Sequence, residues 1–129
     1  MRILPFLALA CVGCVQSDAG IDVASAEADT ARAVSGMSAG APQACVHRRE
    51  LRSTKVIGGG EAFLFEGRSG TSYLNRPHGS CTGGPSDTLR FTSPDVRICQ
   101  GDDVQMVGPG GLRGGSCTLT EFVPYRAAS

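Results

Sequence analysis

The apolar positions of this chain fall into three regimes. Ile3 to Ala10 is an almost unbroken apolar run, and residues 17–44 are mostly Ala, Ser, Gly and Asp with no aromatic. From Cys45 onward, short apolar alternations are punctuated by glycine and proline, the pattern of a small all-β domain. Val46 to Ile57 reads as a first strand, with a bulge near Ser53 where the alternation slips. The Gly58-Gly59-Gly60 turn leads into Glu61–Glu66, which sets Phe63 and Phe65 on one face and Ala62 and Leu64 on the other. Gly67 to Gly70 then turns the chain into Thr71–Arg76, completing a three-stranded meander. Pro77 to Pro85 is irregular, and Thr88–Phe91 reads as a brief helical turn or strand. Ile98–Val107 is a further strand interrupted at Gly101-Asp102, Gly108–Gly115 is a long mobile loop, and Ser116–Tyr125 is a last strand ended near Pro124. Strands this short and closely spaced predict a mainly β domain, a small barrel or rolled antiparallel sheet of OB-like or SH3-like form.

The apolar run is too short to cross a bilayer, which takes about 20 such residues. With Met1-Arg2 before it and small residues after it, it has the size of a secretory signal. Val12-Gly13-Cys14 matches the end of a bacterial lipobox, so Cys14 is the expected lipidation site; Ala8-Leu9-Ala10-Cys11 is the competing register, with Cys11 as the alternative. Plain cleavage near Ala19 is a third option. An acylated cysteine holds a protein on a membrane by burying methylenes, at about 0.8 kcal/mol each. By similarity to Gram-negative lipoproteins, the non-acidic Val15 points to the outer membrane. Segment 15–44 cannot bury enough apolar surface to offset an ordering cost of about 1–2 kcal/mol per residue. It is expected to be a flexible linker, reaching roughly 30 Å as a coil. The predicted organisation is a signal at 1–14, a linker at 15–44, a β domain at 45–126 and a tail at 127–129.

Cysteine usage fits export. Beyond Cys11 and Cys14 the chain has Cys45, Cys81, Cys99 and Cys117, an even set that reads as a disulfide framework in an oxidising compartment with three pairings open. Cys45–Cys117 with Cys81–Cys99 is favoured, since it ties the opening strand to the closing one and closes the least regular stretch. Zinc is disfavoured, because the spacings are 36, 18 and 18 residues rather than close Cys-x-x-Cys pairs. Staples matter in a domain whose aromatic content is low, with two tyrosines and no tryptophan.

Charge adds little. Lys+Arg and Asp+Glu are equal at 12 each, and the arginines are scattered rather than gathered into the basic stripe of a nucleic-acid footprint, so no nucleic-acid partner is expected. Arg48, Arg49, Arg52 and Lys55 are the nearest approach to an anionic-ligand surface. The Gly108–Gly115 stretch lacks the Gly-Lys-Ser/Thr ending of a phosphate loop. Asp102-Asp103 lacks the companion acids that calcium requires, and no cofactor is implied. His47 and His78 are the only histidines. His78 has Ser80 and Asp87 nearby in sequence but no nucleophile elbow, and no catalytic residue is assigned.

A resemblance is carried by Cys45–Thr54, Phe63-Leu64-Phe65, Tyr73-Leu74-Asn75, Pro77–Cys81, Leu89-Arg90-Phe91, Arg97–Asp102 and Ser116–Leu119. Together these resemble a group of small exported bacterial proteins, including lipoproteins, that share a four-cysteine β domain of unknown function. The resemblance covers 45–126 and implies an envelope setting with paired cysteines, without an activity. Cys81-Thr82-Gly83-Gly84 departs from the Cys-Pro-Gly-Leu usual in that group.

The expected function is therefore a lipid-anchored module on the periplasmic side of the envelope, on the outer membrane or otherwise soluble, that binds an envelope protein or cell-wall component. The alternatives are a small envelope enzyme or inhibitor using His78, Asp102 or Asp103, and an oligonucleotide binder on an OB-like face.

Overall fold

A computed structural model describes residues 18–79, 81–84 and 86–128. The signal segment, Cys11, Cys14 and Ser80 lie outside the described residues. The chain forms α1 (Asp18–Ala33), β1 (Met37–Ala39), β2 (Cys45–His47), β3 (Leu51–Ile57), β4 (Ala62–Gly67), β5 (Ser72–Asn75), β6 (His78–Gly79), β7 (Thr88–Phe91), β8 (Arg97–Cys99), β9 (Asp103–Val107), β10 (Arg113–Thr118) and β11 (Val123–Ala127). All pairings are antiparallel: a five-stranded sheet in the order β1-β11-β5-β4-β3, a four-stranded sheet β6-β10-β9-β7, and a β2-β8 ribbon.

The meander β3-β4-β5 forms as its alternation predicts, and the β3–β4 register slips between Leu51 and Ser53. The fold is mainly β, but it does not close into a barrel. A short 3-10 turn at Arg48–Glu50 splits the expected first strand, so β2 leaves the meander to pair with β8. Gly101-Asp102 likewise separates β8 from β9, and β3 lies against β7 without a ladder between them. Strands cut into pieces this short break the continuous hydrogen-bonding that closure needs. The expected last strand is also two, β10 and β11. Pro124 sits inside β11 rather than ending it; the β1 ladder stops at Tyr125, and beyond it the Pro124 carbonyl accepts from Gly40 N–H (2.7 Å).

One core lies among the sheets. Phe63, Phe65 and Tyr73 of the five-stranded sheet meet Val104, Met106, Leu119 and Phe122, all at most 5 % exposed. The Phe65 ring lies 5.7 Å from that of Phe122 and 6.3 Å from that of Phe91. A second core covers the other face of β4: Ala62 and Leu64, with Ile57 and Leu74, are roofed by Ala33, Val34 and Tyr125. Both faces of β4 are therefore inside the protein.

That roof corrects the reading of 15–44 as a flexible linker. From Asp18 the segment is helix, and β1 extends the five-stranded sheet through β11. Ala26 and Thr30, one turn apart, are buried together, and the Thr30 hydroxyl donates to the Ala26 carbonyl. Small side chains bury little area each, yet they let a helix approach closely. A Cβ on Gly58 would come within 2.6 Å of the Ala26 Cβ. The low hydrophobicity that suggested disorder is the composition of a close helix–sheet contact.

All four domain cysteines are oxidised, but the favoured pairing is corrected: the bonds are Cys45–Cys99 and Cys81–Cys117. Cys45 and Cys99 stand directly opposite in the β2–β8 ladder, Cα atoms 4.0 Å apart. Cys117 on β10 is opposite Gly79, two residues before Cys81, and the Cα atoms of Cys81 and Cys117 are 5.2 Å apart. The opening cysteine strand pairs with β8, and the closing strand β11 carries no cysteine. Two structural disulfides belong to an oxidising environment outside the reducing cytoplasm.

Candidate functional site

The four basic residues of the proposed ligand surface do not form one face. Arg48 is half-buried; its guanidinium lies 5.2 Å from the Phe91 ring centre and its Nη2 donates to the Ser93 carbonyl at 2.6 Å. It clamps the β2–β3 junction to the β7–β8 loop. Arg52 and Lys55 converge on Glu66, at 3.5 and 2.8 Å, and Ser53 also donates to this carboxylate. The Lys55 ammonium above all holds the Glu66 carboxyl below its ordinary range, against an opposing effect of burial. Arg49 alone projects outward without a partner among the described residues. On a neighbouring strand the Tyr73 hydroxyl donates to Glu50 (3.1 Å), and burial, then this carboxylate, push the phenol up.

Asp102 and Asp103 are turn and ladder residues. The Asp102 carboxylate accepts from Cys99 N–H at 2.8 Å, and the Asp102 N–H donates to the Cys99 carbonyl, so the β8–β9 turn is closed from both sides. Asp103 accepts from the Thr118 hydroxyl at 2.8 Å. His78, Thr118 and Asp103 stand in one cross-strand row, since Thr118 is opposite both of the others. The order is wrong for a catalytic triad, which needs the imidazole between acid and nucleophile. Here the hydroxyl is in the middle, and two strand spacings of about 4.8 Å separate acid from base. Asp87 does not join them: its carboxylate accepts from Gly84 N–H (3.0 Å) and caps that turn. His47 is exposed on β2. None of the four domain cysteines is a free thiolate for metal or nucleophilic chemistry.

An open cleft of about 540 Å³ lies where the end of β5 meets the β10–β11 connection. Its floor is apolar (Leu74, Leu119, Val123), and Arg76, His78 and Glu121 stand among its polar lining. A buried clasp builds one wall. Asn75, fully buried, donates from Nδ2 to the Thr120 carbonyl (2.8 Å) and accepts the Thr120 N–H on Oδ1 (3.0 Å). The Thr120 hydroxyl donates to the Arg76 carbonyl (2.8 Å). The second wall is the β8–β9 turn, tied on through Gly101 N–H to the Leu119 carbonyl and Leu119 N–H to the Asp102 carbonyl (both 2.9 Å). The cleft thus has the ordinary size and the apolar-floor, polar-rim form of a ligand site. Replacing Asn75 with alanine removes both bonds to half-buried Thr120 and leaves a buried side-chain site empty, and Asn75→Ala is expected to lower unfolding stability by about 1–3 kcal/mol in urea melts.

Of the residues around this cleft, sequence reasoning had singled out His78 alone. The legible sign was Asn75, an amide directly after Tyr73-Leu74 in a strand, where asparagine is depleted. Gln100, Thr120 and Glu121 carried no comparable signal. No family model, no curated protein and no solved structure matches this chain.

Proposed function

We propose that the protein is a lipid-anchored binding or structural module of the bacterial cell envelope, facing the periplasm. One observation carries this reading. A small two-sheet domain held by two disulfides follows, in the same chain, a signal-like apolar run ending in Val12-Gly13-Cys14. The disulfides favour an oxidising compartment outside the cytoplasm, and acylation at the lipobox-like ending would hold the protein on a membrane. Among the described residues, no helix is long and apolar enough to cross a bilayer, so lipid is the attachment the sequence offers. An outer-membrane location follows from Val15 at the position after the acyl cysteine.

Binding is favoured over catalysis because the groups with chemical potential are committed to structure. Asp102, Asp103 and Asp87 close turns or ladders, while the cleft beside β5 offers an apolar floor and mixed charge at its rim. Its open shape suits a segment of an envelope protein or a wall component rather than an enclosed small molecule.

The test is the intact mass of full-length protein extracted from bacterial membranes. The expected mass is that of a chain starting at Cys14, carrying acyl groups and lacking four thiol hydrogens. A mass matching cleavage near Ala19 without lipid overturns the anchor, and free thiols at the four later cysteines overturn the compartment.

A further inference from the structure

We infer that the domain is held close against the bilayer in a fixed sense, with the end bearing the Gly58–Gly60 turn toward the lipid and the Arg68–Gly70 turn away from it. This rests on acylation of Cys14, and it follows from where α1 docks.

The chain directions define two ends. β3 runs toward Gly58–Gly60, β4 runs away from that turn to Gly67–Gly70, and β5 returns. Helix α1 enters at the first end. Ala26 lies against Gly58, and Glu27 is paired with Arg76, which follows β5 at that same end (2.6 Å). The helix then passes over Leu64 and Leu74 to Ala33 and Val34. From there Met37 opens β1 opposite Ala127, at the far end, and β1 comes back along β11. The N-terminal end of the helix therefore lies on the side of the Gly58–Gly60 turn.

Distance makes this orienting. Cys14 and Asp18 are four peptide units apart, a span of at most about 14 Å. Asp18 to Ala26 adds about 12 Å at the helical rise. The acylated residue thus lies within about 26 Å of the docked turn, whatever path residues 15–17 take. A linker unbound as far as Cys45 would instead have a contour of about 100 Å and would impose no orientation. The cleft beside β5, lined by Arg76 and His78, then opens near the lipid end, within reach of partners at the membrane surface.

The experiment uses full-length acylated protein in vesicles of phosphatidylethanolamine and phosphatidylglycerol with acceptor-labelled headgroups. A donor fluorophore is placed through a non-canonical residue at exposed Glu61, beside the glycine turn, or at exposed Arg49 near the opposite end. β4 separates the two ends by about 20 Å, so transfer from position 61 is expected to exceed that from 49 about threefold. In Ala26→Glu, which undocks the helix without entering the sheets, the excess at position 61 should be lost, because the chain then first meets the fold at Met37 at the other end. Equal transfer in the acylated parent overturns the orientation and leaves the anchor standing. A difference that survives Ala26→Glu also overturns it, because docking would not be the cause. An unacylated mass overturns both.

Discussion

Gly60→Ala is expected to abolish the folded domain. Gly60 has a φ of +108°, a region that L-residues other than glycine rarely occupy. A Cβ there would also penetrate the carbonyl oxygen of Cys81, a backbone atom that no rotamer change can move aside. The strain and the clash act at one point, where the turn between β3 and β4 meets the irregular segment that carries Cys81 of the buried disulfide. Loss of more than about 4 kcal/mol is expected, comparable to the whole stability of many small domains. The check is accumulation and circular dichroism of exported protein, with Gly70→Ala as the comparison. Gly70 also has positive φ (+85°) but open space around its Cβ position, so that variant should lose only the conformational part and stay folded.

The second large effect is expected from the disulfides, and it separates them by burial. Removing Cys81–Cys117 through paired alanines frees a loop of 36 residues, worth about 4 kcal/mol on the chain-entropy model. It also leaves a void beside Val104 and Met106, because Cys81 and Cys117 are 3 % and 5 % exposed. Cys45–Cys99 closes a longer loop, 54 residues, yet its two cysteines are only half-buried in a ribbon beside the main core. The expected ranking in urea melts is a greater loss for Cys81→Ala/Cys117→Ala, despite the shorter loop. The reverse ranking would mean that loop length, not the core, sets the contribution. Peptide mapping of oxidised protein should return 45 joined to 99 and 81 joined to 117.

Much of the β domain was legible because strands announce themselves locally. The alternation in β3, the glycines at 58–60 and 67–70, and the slip near Ser53 each specify structure within a few residues. What failed was non-local. The cysteine pairing depended on which strand β2 would adopt, and the turn at Arg48–Glu50 that redirects it has no strong sequence mark. The candidate cleft was missed for the same reason. Asn75 and Thr120 are 45 residues apart, and nothing in either neighbourhood names the other. The basic residues at 48–55 looked like a surface because the sequence does not show Glu66 arriving opposite Ser53.

The apolar run of β4 held a clue that reached further. Ala62, Phe63, Leu64 and Phe65 load both faces of one strand, and a strand in an antiparallel sheet with one wet face does not do that. Something had to cover Ala62 and Leu64, and Ala33 and Val34 from the segment before Cys45 do so together with Tyr125.

By itself the sequence determined the class of structure, mainly β with an even set of cysteines to pair: strand periodicity, turn glycines and cysteine count are all properties of neighbouring residues or of composition. Tertiary structure alone decided that the Ala-rich stretch folds onto the sheet, which cysteines meet, and where a cleft opens. Those outcomes depend on close approach between segments far apart in the chain, and small residues such as Ala26 and Gly58 allow that approach without advertising it.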